Sequence, residues 1–117
     1  MMSIPSEIND LVQRLNRELD LLEREATEGL ALARIVLNRF PNNFTVTQLF
    51  ALLNTAIFFV ETSRRRIKNR LDFFAGNDVV TDEKVQEVGE DLANELGRIL
   101  ETQTRIERIK SRLQELQ

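Results

Sequence analysis

Apolar residues recur along this chain in alternating steps of four and three, over three long stretches separated by two short breaks. The first row is Ile8, Val12, Leu15, Leu19, Leu22, Ala26, Gly29, Ala33, Val36 and Phe40. The second is Val46, Leu49, Leu53, Ala56, Val60, Ser63, Ile67 and Phe74. The third is Val85, Val88, Leu92, Leu96, Ile99, Gln103, Ile106, Ile109, Leu113 and Leu116. Such spacing puts each row on one face of a helix and favours left-handed supercoiling. The step Val88–Leu92–Leu96 departs from it and predicts a small stutter. No stretch alternates with the two-residue period of a strand.

The rows predict helices over about 6–40, 46–75 and 82–115, with turn-forming residues at Pro41-Asn42-Asn43 and Gly76-Asn77-Asp78 between them. Ser6 is placed to cap the first helix, with Glu7 and Asp10 in its first turn, where the helix dipole favours acids. Thr45 and Gln48 have capping-box spacing, with Phe44 positioned to staple onto Leu49. Val80 and Val85 bracket a third helix start at Thr81. Helices of ~50 Å joined by short connections fold back on one another. The expected fold class is all-α: three long antiparallel helices in an up-down-up bundle with coiled-coil-like packing, one domain over 1–117.

The 117 residues include 16 Lys and Arg, 19 Asp and Glu, and no His, Cys, Trp or Tyr, for a net charge of −3. Without His or Cys the chain lacks a histidine general base, a thiol nucleophile and the usual zinc, haem or iron–sulfur ligands. It is expected not to be an enzyme, with no catalytic residue, cofactor or metal site. The lack of cysteine and of an apolar leader makes the cytoplasm the expected location. The apolar run Leu49–Val60 is 12 residues long and is followed by Arg64-Arg65-Arg66. A spanning helix needs about 20 apolar residues, so no membrane contact is expected.

Five cations stand within seven residues: Arg64, Arg65, Arg66, Lys68 and Arg70 are the candidate contacts for an anion or nucleic acid. On the third helix Glu83, Glu87, Asp91 and Glu95 follow at four-residue steps, a self-repelling ridge unless a basic partner faces it. Counting from the Gly76 turn puts 64–70 level with about 86–92 on the third helix and about 16–22 on the first, which supplies Glu18 and Asp20. Mutual pairing of cluster and ridge is the favoured expectation, because the cluster points all round its helix and the net charge is negative. Arg105, Arg108, Lys110 and Arg112, interleaved with Glu101, Glu107 and Glu115, read as a solvated face, with Glu101 and Arg105 an i,i+4 pair. With Arg34 and Arg39 they make one end of the bundle modestly basic. Glu25-x-x-Glu28 and Glu87-x-x-Glu90-Asp91 fall outside the apolar rows at different heights, which predicts solvent-facing carboxylates rather than metal ligands.

Small residues form two stripes, Ala26-Gly29-Ala33 and Gly89-Ala93-Gly97, and all seven Phe lie between positions 40 and 74, which predicts complementary packing around a middle second helix. The apolar surface still exceeds what three helices bury. Leu30, Leu37, Phe50, Leu52, Phe58 and Phe59, with Leu32 and Ile35 beside them, form the candidate interaction face. A second copy of the chain or a helical protein partner is expected to cover it.

The opening Ser3-Ile4-Pro5-Ser6-Glu7-Ile8-Asn9-Asp10-Leu11, the stretch Glu25-Ala26-Thr27-Glu28-Gly29-Leu30 and the segment Phe58-Phe59-Val60-Glu61-Thr62-Ser63-Arg64-Arg65-Arg66-Ile67 carry a resemblance. They resemble small all-helical bacterial proteins labelled restriction endonuclease S-subunit-like. True specificity subunits hold two target-recognition domains separated by long helices, and this chain matches the helical spacer at most. The resemblance implies a helical scaffold in a restriction–modification setting and assigns no catalytic or base-reading residue. Two functions are thus expected: protein–protein interaction or assembly through apolar helix faces, or, as the alternative, a nucleic-acid-associated accessory subunit.

Overall fold

The computed structural model describes residues 4–76 and 80–117 as three helices, α1 (Ser6–Arg39), α2 (Phe44–Gly76) and α3 (Asp82–Glu115). Asn77 and Asp78 of the second expected turn, and Ser3 of the opening motif, lie outside the described residues. The helix starts follow local chemistry. Thr81 caps α3, its hydroxyl accepting from the Lys84 amide at 3.2 Å, while Val80 and Val85 pack against the core. For α2 the cap is Asn43, whose Oδ1 accepts from the Val46 amide at 3.1 Å, so the helix begins before the Thr45 box. Phe44 is 73% exposed and makes no staple. Ser6 is the first helical residue of α1 rather than its cap, because Pro5 occupies the cap position.

Cross-helix contacts fix direction and register. Arg64 reaches Asp20 and Glu23, and Arg34 lies over the Phe50 ring, so α1 and α2 run antiparallel. Arg66 meets Glu95 and Arg70 meets Asp91, which sets α3 antiparallel to α2. Gln103 bonds Glu18 and Lys110 bonds Glu25 and Glu28, so α1 and α3 run parallel, as an up-down-up bundle requires. The Cα envelope measures 59 × 19 × 17 Å.

The buried rows of α1 and α2 are the expected ones except Phe40, which is 44% exposed where α1 ends. In α3 the buried row runs Val88, Leu92, Glu95, Ile99, with Leu96 only half-buried and Leu116 37% exposed. The stutter therefore does not occur: steps of four, three and four continue, and a carboxylate takes the seam position. At Gly29 α1 lies close against both neighbours. A Cβ there would lie 2.7 Å from Leu53 Cδ2 of α2 and 3.4 Å from Lys110 Cγ of α3. The helix packed most fully against both neighbours is thus α1, not α2. The stretches of α2 and α3 farthest from their connection draw apart.

Candidate functional site

The Arg64–Arg70 segment is divided among three directions. Arg64 donates to Glu23 and, at 2.8 Å, to Asp20 on α1; these bonds, Glu23's first, raise its guanidinium pKa further. Arg66 forks onto Glu95 with bonds of 2.7 and 2.8 Å, and Arg70 meets Asp91 at 3.3 Å. Arg65 and Lys68 are exposed and unpaired among the described residues. The α3 ridge is therefore only half matched to the cluster. Glu87 pairs with Lys84 of its own helix at 3.3 Å, and Glu83 has no partner among the described residues.

Glu95 is the one charged residue in the core among the described residues. Its side chain is 5% exposed and accepts from Arg66, from the buried Ser63 hydroxyl at 2.9 Å, and from Arg98 at 3.2 Å. Burial alone would push the carboxyl upward, but Arg66, Ser63 and Arg98 together hold it below the usual carboxylate range. Opposite it in sequence terms, Ser63 was the only hydroxyl on the second apolar row, and that polar break was the available sign of a buried partner. A second network joins Lys110 to Glu25 at 2.7 Å and Glu28 at 2.9 Å. Burial works against the ammonium, yet the two carboxylates raise its pKa; Lys110 in turn lowers that of Glu28. The Glu25/Glu28 pair is thus a clamp across α1 and α3. Among the described residues no cluster of acids is arranged to hold a metal.

The expected apolar face is split. Leu30, Leu37 and Phe50 are half-buried, packed against the core on the α1–α2 side, where Arg34 sits 5.9 Å from the Phe50 ring centre. Leu52, 52% exposed, and half-buried Phe59 face the other way, into the gap between α2 and α3. Phe58, 68% exposed, falls on the side of α2 opposite its buried row, and Ile35 of α1 is 51% exposed. These residues do not form one surface. The most apolar 18-residue window of α2 has a mean hydropathy of 1.5, long and apolar enough to cross a membrane by composition, and only 28% of it is buried in the bundle.

Where α2 and α3 separate, a groove of about 420 Å³ opens. Its floor is Leu49, Ala56, Ile106 and Ile109 from the core rows, and Leu52 and Phe59 form the α2 wall. The α3 wall is Arg105, Arg108 and Arg112, with Thr55 and Thr102 as further hydroxyls. None of the three arginines has an ion pair among the described residues, and the expected Glu101–Arg105 pair is absent. A shallower groove along Thr45, Gln48 and Leu52 continues this one toward the start of α2. Such a site can take an apolar surface on its floor and an anionic flank on its arginine wall. It was legible only in part: Leu52–Phe59 and Arg105–Arg112 each follow helical spacing, but nothing local says that the two rows flank one opening. No protein-family model, curated protein or solved structure matches the chain.

Proposed function

We propose that this chain is a non-enzymatic helical bundle that acts by protein–protein interaction, receiving a helix of a partner chain in the groove between α2 and α3. The observation that carries this reading is the groove itself: an apolar floor continuous with the core, left open by the divergence of two helices. Helix-in-groove recognition uses such a floor for apolar anchors at i, i+3, i+4 and i+7. Leu52 is 52% exposed, so covering it contributes roughly half of the about 1.5–3 kcal/mol that full burial of an exposed leucine gives. Salt does not screen apolar burial of this kind, so the complex is expected to persist at high ionic strength.

The test is photocrosslinking in cells from position 52 of the full chain, with position 47, on the far side of α2, as control. The reading expects one protein captured from 52 and not from 47, and capture lost when Thr55→Arg obstructs the groove. Equal capture from both positions, or none from 52, overturns it. A second reading, a nucleic-acid-associated scaffold in a restriction–modification system, draws on exposed Arg65 and Lys68. Duplex binding that collapses with salt and is lost in Arg65→Gln/Lys68→Gln would decide for it. Flotation with lipid vesicles, expected to be negative, separates a protein partner from a membrane surface.

A further inference from the structure

The three unpaired arginines belong to a longer pattern on α3. In its N-terminal half Glu83, Glu87, Glu90 and Asn94 follow at steps of four, three and four. In its C-terminal half Glu101, Arg105, Arg108 and Arg112 repeat those steps. All eight are exposed, and at 100° per residue they fall within a sector of about 60°. Reflection about the Gly97–Arg98 bond exchanges Glu83 with Arg112, Glu87 with Arg108, Glu90 with Arg105, and Asn94 with Glu101. Every acid in the first half of the stripe maps onto an arginine, and the amide maps onto an acid.

We propose that this stripe is the contact between two copies of the chain, packed with α3 antiparallel to α3 about a two-fold axis through the Gly97–Arg98 bond. A two-fold contact makes each of these pairs twice, residue i with j and j with i. The register is selective: sliding the partner one turn, so that Glu83 meets Arg108, brings Glu90 against Glu101. Competing bonds within the chain are weak, since Glu87 meets exposed Lys84 at 3.3 Å and Glu90 accepts only from Gln86, also at 3.3 Å. At the axis Gly97 offers no obstacle; even a Cβ added there would meet nothing within 4 Å. Exposed ion pairs are individually modest and screened by salt, so they set orientation and register in a weak, salt-sensitive dimer. The dimer shares Arg105, Arg108 and Arg112 with the α3 wall of the groove but differs from helix binding there in its salt dependence, since apolar burial on the floor is not screened.

Sedimentation velocity on the full chain tests it. A reversible dimer is expected at low salt, dissociating as salt is raised; a chain that stays monomeric at low salt overturns the proposal. Two triple variants follow, Glu83→Arg/Glu87→Arg/Glu90→Arg and Arg105→Glu/Arg108→Glu/Arg112→Glu. Each alone sets like charges together and is expected to be monomeric, whereas an equimolar mixture restores complementarity and the dimer. Dimers from either variant alone, or a mixture that stays monomeric while far-UV circular dichroism shows both variants helical, overturn it. A variant that loses helix is replaced by a second measurement. The chain has no cysteine, so Gly97→Cys supplies a single thiol at the axis, and Ser111→Cys one separated from its mate by ~40 Å. Oxidative crosslinking of Gly97→Cys and not Ser111→Cys is expected; equal crosslinking of the two refutes the register. The triple variant of Arg105, Arg108 and Arg112 also reverses the charge of the groove's α3 wall, whereas Glu83→Arg/Glu87→Arg/Glu90→Arg and the two cysteine variants leave the groove lining unchanged and separate the dimer from capture at position 52.

Discussion

Replacing Glu95 separates two physical accounts of the α3 core. In Glu95→Ala the buried Ser63 hydroxyl loses its acceptor, and an unsatisfied buried hydroxyl costs about 1–3 kcal/mol. The truncated side chain also leaves space in the seam, adding to the loss. The arginines soften the effect: Arg66 and Arg98 are 42% and 55% exposed, so each re-enters water rather than remaining an unpaired buried charge. The expected cost is therefore about 2–4 kcal/mol, at or below the range for breaking a fully buried ion pair. Ser63→Ala/Glu95→Leu removes both polar partners and extends the apolar row through Val88, Leu92 and Ile99. That double variant is expected within about 1 kcal/mol of the parent, or more stable, because the desolvation of Glu95 disappears with its bonds. Urea unfolding followed by far-UV circular dichroism reads both; the chain has no Trp or Tyr for fluorescence. A double variant as unstable as Glu95→Ala refutes the reasoning, since it would make the ionic network itself the source of stability.

Further outcomes follow from the same geometry. Glu95 and Glu28 have lowered folded-state pKa values, so their contribution to stability is present above the ordinary carboxylate range and lost as pH falls through the folded values; pH-dependent urea midpoints should show this acid loss, reduced in Glu95→Gln. Lys110 has the opposite sign: its raised pKa gives stability present below the ordinary lysine range and lost as pH rises through the folded value, an alkaline loss that Lys110→Met should remove. Gly29→Ala is expected to destabilise by about 1–2 kcal/mol, because overpacking against Leu53 outweighs the helix-propensity gain. Gly97→Ala, where a Cβ meets open space, should stabilise by about 0.5–1 kcal/mol when measured at high salt. Asn43→Ala removes the α2 cap, with an expected loss of about 1 kcal/mol in thermal or urea unfolding.

Periodicity alone determined the helices. Alternating steps of four and three placed the buried rows of α1 and α2 almost residue for residue, because a helix that must bury one stripe has no other way to write it. Capping was legible at Thr81, where the hydroxyl sits one turn before its amide, but not at Asn43, which sequence spacing assigned to the loop. Tertiary structure decided what periodicity leaves open. Leu96 and Glu95 are adjacent, and hydrophobicity favoured the leucine; the arrival of Arg66 and Ser63 from α2 is what lets the carboxylate occupy the seam. Likewise Arg64 turned to α1 rather than to the acidic ridge of α3, leaving that ridge half unmatched. The groove is tertiary altogether: Leu52, Phe59 and the three arginines of α3 become one site only because α1, packed fully along both neighbours, lets α2 and α3 part at their far ends. One-dimensional spacing records which face of a helix is apolar, but not how far apart two such faces stand, and that distance made the site.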